Sequence, residues 1–273
     1  MKEFYFISGL PRSGSTLLSA ILRQNPDFFA DISSPVQALV ASTINVITGS
    51  ESNHLIDEDR RRHILKSLFN AYYESVNAKT VFDTNRVWTS KTSLLKDLYP
   101  QTKIICCVRD LPWILDSFER ISVKNSLYGA TLTDDEARQT VTTRCDALMD
   151  VKKGGQVVKP YYLLEEGMLL NPNMIMLMEY ESLCKKPESV MREIYEFIGK
   201  PYFNHDFKNV EYENEVFDKG LNMKSLHTVR KEVTWQERAS ILPRSVWEKY
   251  SGKEFWRQQE PNFAIKQLYK IKL

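Results

Sequence analysis

Long apolar runs are missing from this chain. Nothing approaches the roughly 18 consecutive apolar residues that a membrane helix needs, so no span is expected. The N-terminus also lacks a basic segment, a long apolar stretch and a small-residue cleavage site, and a strand begins within a few residues; a cytoplasmic protein is the expectation. Cysteine is scarce. Of the four, Cys106 and Cys107 are adjacent in an apolar run while Cys145 and Cys184 stand far apart, which gives no metal-ligand spacing and reads as buried, reduced thiols. Such thiols favour a reducing compartment. Excess charge is absent too: the formal net charge is +2, with charged residues at 26%, so no strongly basic surface and no nucleic-acid partner are expected. Repeats, low-complexity segments and clear linkers are lacking, and 273 residues suit one large α/β domain, residues 1–273.

What is present begins at the N-terminus. Phe4-Tyr5-Phe6-Ile7 is an apolar run short enough for a buried strand; Ser8-Gly9-Leu10-Pro11-Arg12-Ser13-Gly14 interrupts it, and Leu17, Leu18, Ile21 and Leu22 then recur at helical spacing until Asn25-Pro26. A strand, a glycine loop and a helix in that order aim backbone N–H groups and a helix N-terminus at one point, ready for a phosphate or sulfate. Gly9 and Gly14 have the separation of the triphosphate-binding pattern G-x-x-x-x-G-K-[ST], and Thr16 stands where its hydroxyl should be. The lysine is missing. Ser15 replaces it and the cation lies inside the loop as Arg12, which argues against an ATPase or GTPase.

Two further strands end in polar residues. Val81-Phe82 leads into Asp83-Thr84-Asn85-Arg86, and residues just past the carboxyl end of a parallel strand line the binding crevice, so Asp83, Asn85 and Arg86 are expected to face it. Lys103 to Val108 is a continuous apolar run, as a central parallel strand should be, and Arg109 ends it. Asp110 is the expected N-cap of the next helix, with Pro112 in its first turn and Ser117 eight residues beyond Arg109. Arg109 is either an anion-binding fork or a structural ion-pair partner. Helices are also expected over Val36–Ile47, Asp57–Val76, Thr92–Leu98 and from a capping box at Thr133-Asp134-Asp135-Glu136 toward Met149. The Arg60-Arg61-Arg62-His63 cluster reads either as a solvated face or as a dock for an acidic acceptor. Met174 to Leu183 forms a buried strand running into a turn, and Val190 to Ile198 a helix stopped by Gly199 and Pro201.

Pro11-Arg12-Ser13-Gly14-Ser15-Thr16-Leu17 resembles the 5′-phosphosulfate loop of sulfotransferases that use 3′-phosphoadenosine 5′-phosphosulfate (PAPS), above all bacterial and tyrosylprotein-type members, which carry arginine where cytosolic ones carry lysine. Arg109 with Ser117 resembles the family's 3′-phosphate clamp. Tyr180-Glu181-Ser182-Leu183, Pro187 and Phe197-Ile198-Gly199 are similar to its Y-E-x-L, proline, F-[IL]-G passage, whose role there is mainly architectural. Leu226-His227-Thr228-Val229-Arg230 is similar to a segment that lies over the nucleotide in bacterial relatives, and the alternative for it is an ordinary surface loop.

The resemblance implies a three-layer, P-loop-like α/β fold with a mostly parallel central sheet flanked by helices. It implies transfer of a sulfuryl group from PAPS to a hydroxyl or amine, with adenosine 3′,5′-bisphosphate (PAP) released. Pro11, Arg12, Ser13, Gly14, Ser15, Thr16, Arg109, Ser117 and Arg230 would hold the cofactor, and Arg12 would also face the charge that builds during transfer. The acceptor stays open among small alcohols, phenols, glycans, lipids and peptide tyrosines. The chain departs from the family in its base: no histidine stands at the cytosolic position, where Asn85 is found, and the glutamate that the tyrosylprotein branch carries near Ser33 or Ser34 is absent. Asp83 is the candidate, unless it pairs with Arg86 as a structural ion pair. A small-molecule P-loop kinase and a non-catalytic PAPS-binding protein are the rival readings.

Overall fold

In a computed structural model, residues 2–49, 51–125, 139–211 and 229–257 are described. Strand β1 (Glu3–Gly9) is followed by helix α1 (Ser15–Leu22), β2 (Phe28–Ala30), α2 (Val36–Ile47), a single turn α3 (Ser52–Leu55) and α4 (Glu58–Tyr72). Then come β3 (Thr80–Thr84), a 3-10 segment (Arg86–Lys91), α5 (Thr92–Leu98), β4 (Ile104–Val108), α6 (Leu111–Lys124), α7 (Val141–Leu148), α8 (Val158–Leu170), β5 (Ile175–Glu179), α9 (Tyr180–Lys185), α10 (Pro187–Phe197) and α11 (Arg244–Tyr250). All five strands pair in parallel, in the order β2-β3-β1-β4-β5. Among the described residues no helix is long and apolar enough to cross a membrane.

Strand alternation sorts the sheet into two cores, because successive side chains leave a strand on opposite faces. Phe4, Phe6, Val81, Ile104, Cys106, Ile175 and Leu177 pack against α2, α4, α5, α6, α7, α8 and α11. Tyr5, Ile7, Phe82, Ile105, Cys107, Met176 and Met178 pack against α1, α9 and α10. Both faces are covered, which is why β4 and β5 read as continuous apolar runs. All four cysteines are free and buried.

Several boundaries differ from the sequence expectation for identifiable reasons. Asp110 occupies the N-cap position of α6 but makes no cap; its carboxylate pairs with Arg257, and Glu254 accepts from the Leu111 N–H instead. Helix α7 is capped reciprocally by Thr140 and Thr143; the box at Thr133 lies outside the described residues. After β5 the chain enters α9 rather than a turn. The arginine cluster of α4 is largely engaged within its own surroundings, Arg62 with Glu58, Asp59 and Asp97, Arg61 with Asn53 and the Ile56 carbonyl, which is the solvated-face reading.

A polar knot fastens α10 to α1. Tyr195 Oη accepts from Asn25 Nδ2 at 3.0 Å and lies 3.1 Å from His205 Nε2, with His205 enclosed by aromatic rings. Burial pushes the His205 imidazole down to about 4. The folded state therefore favours neutral histidine, and its contribution is complete above the unfolded value of about 6.5 and is lost as pH falls through about 4. Urea denaturation across that window should show the wild type losing on the order of 3 kcal/mol more than His205→Phe; parallel pH curves would refute the assignment.

Two glycines separate close approach from mere handedness. A Cβ on Gly9 (φ +99°) would lie 2.3 Å from the Cys107 carbonyl oxygen, whereas one on Gly199 (φ +66°), just past α10, meets nothing within 4 Å. Gly199→Ala should cost about 1 kcal/mol. Gly9→Ala should cost at least about 3 kcal/mol, since strain and overlap add; equal losses in chemical denaturation would contradict this.

Candidate active site

The carboxyl edge of the sheet brings the turns together. Past β1, the Leu10 N–H donates to the Cys107 carbonyl at 2.8 Å, which draws the start of the glycine loop over the end of β4. Pro11 is buried, and the buried Ser13 hydroxyl donates to the Pro11 carbonyl at 3.2 Å. Arg12 has φ +59° and is the non-glycine residue with positive φ among the described residues. Gly14, also left-handed, is the N-cap of α1, and Ser15 and Thr16 form its first turn, partly exposed. The first N–H groups of any helix have no partner within it, so this turn presents donors to the crevice.

Arg109 and Ser117, paired in the sequence reading, are brought to the same place. Arg12 Nε donates to Ser117 Oγ at 3.1 Å, and Arg109 Nη1 donates weakly to the Arg12 carbonyl at 3.5 Å. The glycine loop and the turn after β4, about 95 residues apart in sequence, thus touch. Arg109 Nε is buried and has no hydrogen-bond partner among the described residues. Burial lowers the Arg109 pKa from its ordinary value, as expected for a cation short of countercharge. A guanidinium with a spare donor edge, joined through Arg12 to a serine hydroxyl and the loop before α1, fits a phosphate group.

Tyr180, from the passage whose role in the family is mainly architectural, also lies against these residues. Its ring lies 4.6 Å from the Arg109 guanidinium, and a Cβ on Gly14 would come within 2.7 Å of it. Trp113 flanks Arg109 from α6, and Trp235 stands against Tyr180. Tyr180 begins where β5 ends, so the strand-end rule that picked out Arg109 would have found it. Arg230 is exposed and close enough to Tyr180 and Cys184 for its charge to favour their ionised forms; His227 lies outside the described residues. The segment carrying Arg230 is fastened by Asp116, which is fully buried and accepts from Arg120, Arg238, Ser240 and the Ile241 N–H. Nothing in the sequence distinguished Asp116 from a helix-surface acid.

Asp83 is not where the strand-end rule placed it. It stands on the face of the sheet that carries Phe6 of β1 and Val81 of β3, and its exposure is 0%. Trp88 Nε1 donates to Oδ1 at 2.6 Å, and the Ser34 and Tyr73 hydroxyls donate to Oδ2 at 2.5 and 2.6 Å. No ion pair joins it to Arg86, whose exposed side chain makes no hydrogen bond among the described residues. Burial raises the Asp83 pKa while the three donors lower it, the reverse of the depressed value an ion pair would bring. The alternation of β3 decides this outcome: in a five-residue strand, one step of register separates the crevice from the core. Asn85 turns its carboxamide to its own chain and caps the 3-10 segment through the Val87 N–H.

The sequence profile of the sulfotransferase family matches residues 5–204, which include both anion-binding turns, β3 and the Tyr180 passage. The chain belongs to the sulfotransferase family. A Caenorhabditis briggsae protein described as a protein-tyrosine sulfotransferase is 23% identical over 207 residues, 74% of this chain and 67% of that one. Among solved structures, the sulfotransferase domain from the curacin biosynthetic pathway is 17% identical over 74% of this chain and 76% of that one, with a TM-score of 0.49. A sulfotransferase from Alicyclobacillus acidocaldarius is 17% identical, covers 80% and 89%, and also scores 0.49. A mouse sulfotransferase complexed with PAP is 17% identical, covers 75% and 61%, and scores 0.47.

The clamp on Asp83 carries its own test. Trp88→Phe removes the donor to Oδ1 together with one ring of the buried indole, which should lower stability by at least about 2 kcal/mol in urea denaturation. In an Asp83→Asn background the same change should cost less, because the two groups act together; full additivity would show that the bond contributes nothing.

Proposed function

We propose that this sulfotransferase takes its sulfuryl group from PAPS and that the two turns at the carboxyl edge divide the cofactor between them. The observation that carries the reading is the contact chain from Arg109 through Arg12 to Ser117, which joins both turns into one cationic surface. PAPS, when bound, supplies the sulfuryl group and the phosphate that departs from it.

The chain's own residues then have separate tasks. Backbone N–H groups of the Arg12–Thr16 turn and the Arg12 guanidinium stand at the positive end of α1, where negative charge on a leaving phosphate oxygen is stabilised without reorganisation. Pro11 and Ser13 hold the turn in shape from inside. Arg109 and Ser117 grip the 3′-phosphate, with the Tyr180 ring beneath the guanidinium restricting it to one orientation. Arg230 adds an exposed cation to the same surface.

A single terminal sulfate needs no triphosphate apparatus, and the loop has no lysine for one. The acceptor is a hydroxyl or amine compound, and the tyrosylprotein relative adds peptide tyrosine to the candidates. Four free, buried thiols suit a reducing compartment, which supports a cytoplasmic enzyme.

Thermal unfolding with PAP, with ATP plus Mg²⁺ and with neither is the deciding measurement. PAP at about 100 times its dissociation constant should stabilise the wild type by roughly 2.7 kcal/mol. Arg109→Ala should abolish that gain. Stabilisation by ATP and Mg²⁺ in place of PAP would overturn the reading in favour of a kinase.

A further inference from the structure

A base is still required for an alcohol acceptor, and Asp83 cannot meet one directly. The hydrogen bonds around it show a way out of the core. Ser34 follows β2 in the turn that leads to α2, at the carboxyl edge of the sheet, and its backbone N–H donates to the carbonyl of Thr84 at the end of β3. The next residue, Asn85, donates to the Ile7 carbonyl of β1, and the Ser8 hydroxyl donates to the Arg86 carbonyl. Ser34, the end of β3 and the start of the glycine loop therefore form one continuous band. Ser34 is 8% exposed whereas Asp83 is 0% exposed.

The directions of the bonds are fixed by what each group can do. A serine hydroxyl has one proton and two lone pairs. The Val36 N–H donates to Ser34 Oγ at 3.2 Å, occupying one lone pair, and the Ser34 proton points to Asp83 Oδ2 at 2.5 Å. Tyr73, the third member of the cluster, also lies within hydrogen-bonding range of Ser34 and spends its own proton on Asp83, so one lone pair of Ser34 is left to accept. On the far side, Trp88 Nε1 can only donate, so Oδ1 accepts. Tyr73 donates to Asp83 as well, but its ring is held among Phe4, Phe29 and Tyr72 and is 3% exposed.

We propose that Ser34 and Asp83 form a proton relay in which Ser34 Oγ touches the acceptor hydroxyl and Asp83 acts through it as the terminal base. The inference rests on the sulfuryl-transfer reading above. Ser34 Oγ takes the proton that the acceptor oxygen loses and passes its own to Asp83 Oδ2. The acceptor's electron pair forms the new oxygen–sulfur bond, and the pair of the broken sulfur–oxygen bond leaves with the 5′-phosphate of PAP. The proton returns from Asp83 through Ser34 to solvent when the product departs. A carboxylate with little water around it has a raised pKa and so a stronger pull on that proton. Ser34 is the catalytic residue of the pair and Asp83 its positioning partner.

Two measurements test the relay. Infrared spectroscopy of protein labelled with carbon-13 at the aspartate carboxyls should show an ionised Asp83 at neutral pH, as a band absent from Asp83→Asn and shifted in Ser34→Ala. A protonated Asp83 there overturns the proposal, because it has no capacity to accept. The second measurement is PAPS turnover at alkaline pH with 4-methylphenol, which must lose a proton, and 4-nitrophenol, which is already ionised. Ser34→Ala and Asp83→Asn should each slow the first by about 100-fold or more and change the second less than about threefold. The double variant should be no slower than the worse single one, since the groups act as a unit, and Ser34→Thr should restore the rate. Binding of PAP, followed by thermal shift, should be the same in all of them. A wild type that neither binds PAP nor cleaves PAPS overturns the sulfotransferase reading and the relay with it. A wild type that does both, with Ser34→Ala equally active on the two phenols, overturns the relay alone.

Discussion

Everything at the carboxyl edge depends on how closely β1 and β4 approach as they end. Gly9 comes against the backbone of Cys107 with no room for a side-chain carbon, and Leu10 closes the approach with a hydrogen bond to the Cys107 carbonyl. The glycine loop consequently starts on top of the neighbouring strand rather than beside it. Arg109, two residues beyond Cys107, then lies within reach of the Arg12 backbone. A side chain at residue 9 would separate two turns whose usefulness lies in touching.

Around this contact the chain places two fully buried carboxylates. Asp83, on the β3 side, gathers the β2–α2 turn, α4's end and the 3-10 segment through Ser34, Tyr73 and Trp88. Asp116, from α6 on the β4 side, gathers Arg238, Ser240 and the Ile241 N–H from residues 238–241, beside Arg120 of its own helix. A buried carboxylate left without donors would cost several kcal/mol, so each acts as a strong constraint on the segments that supply its partners. The crevice walls are held from behind by these two polar centres, and the apolar cores alone would specify the same loops less sharply.

The legible part of the sequence was the part governed by short-range rules. The strand-loop-helix at Phe4–Leu22, the bounds of α2 and α5, the apolar β4 and the left-handed Gly199 all follow from periodicity, glycine and proline. Arg109 was readable as the residue that ends an apolar strand, whereas Ser117 was singled out only through the resemblance to the family's 3′-phosphate pairing. Asp83 was misplaced by one step of strand alternation, which no local signal determines. Tyr180 was passed over because its motif reads as framework, although the aromatic ring meets both Gly14 and Arg109. Asp116 and Glu254 were invisible for another reason: the segments they fasten, residues 238–241 for Asp116 and the start of α6 for Glu254, are more than 100 residues away in sequence.

Arg12 has a consequence for how this fold can change. Its backbone is in the left-handed region that costs a side-chain-bearing residue about 1–2 kcal/mol and glycine almost nothing. A chain shaped by folding stability alone would carry glycine at that position. The guanidinium that reaches Ser117 stands there against that preference, so the loop sits off its stability optimum. A descendant released from sulfuryl transfer would be expected to drift first at residue 12, while Gly9, which the sheet itself requires, stayed fixed.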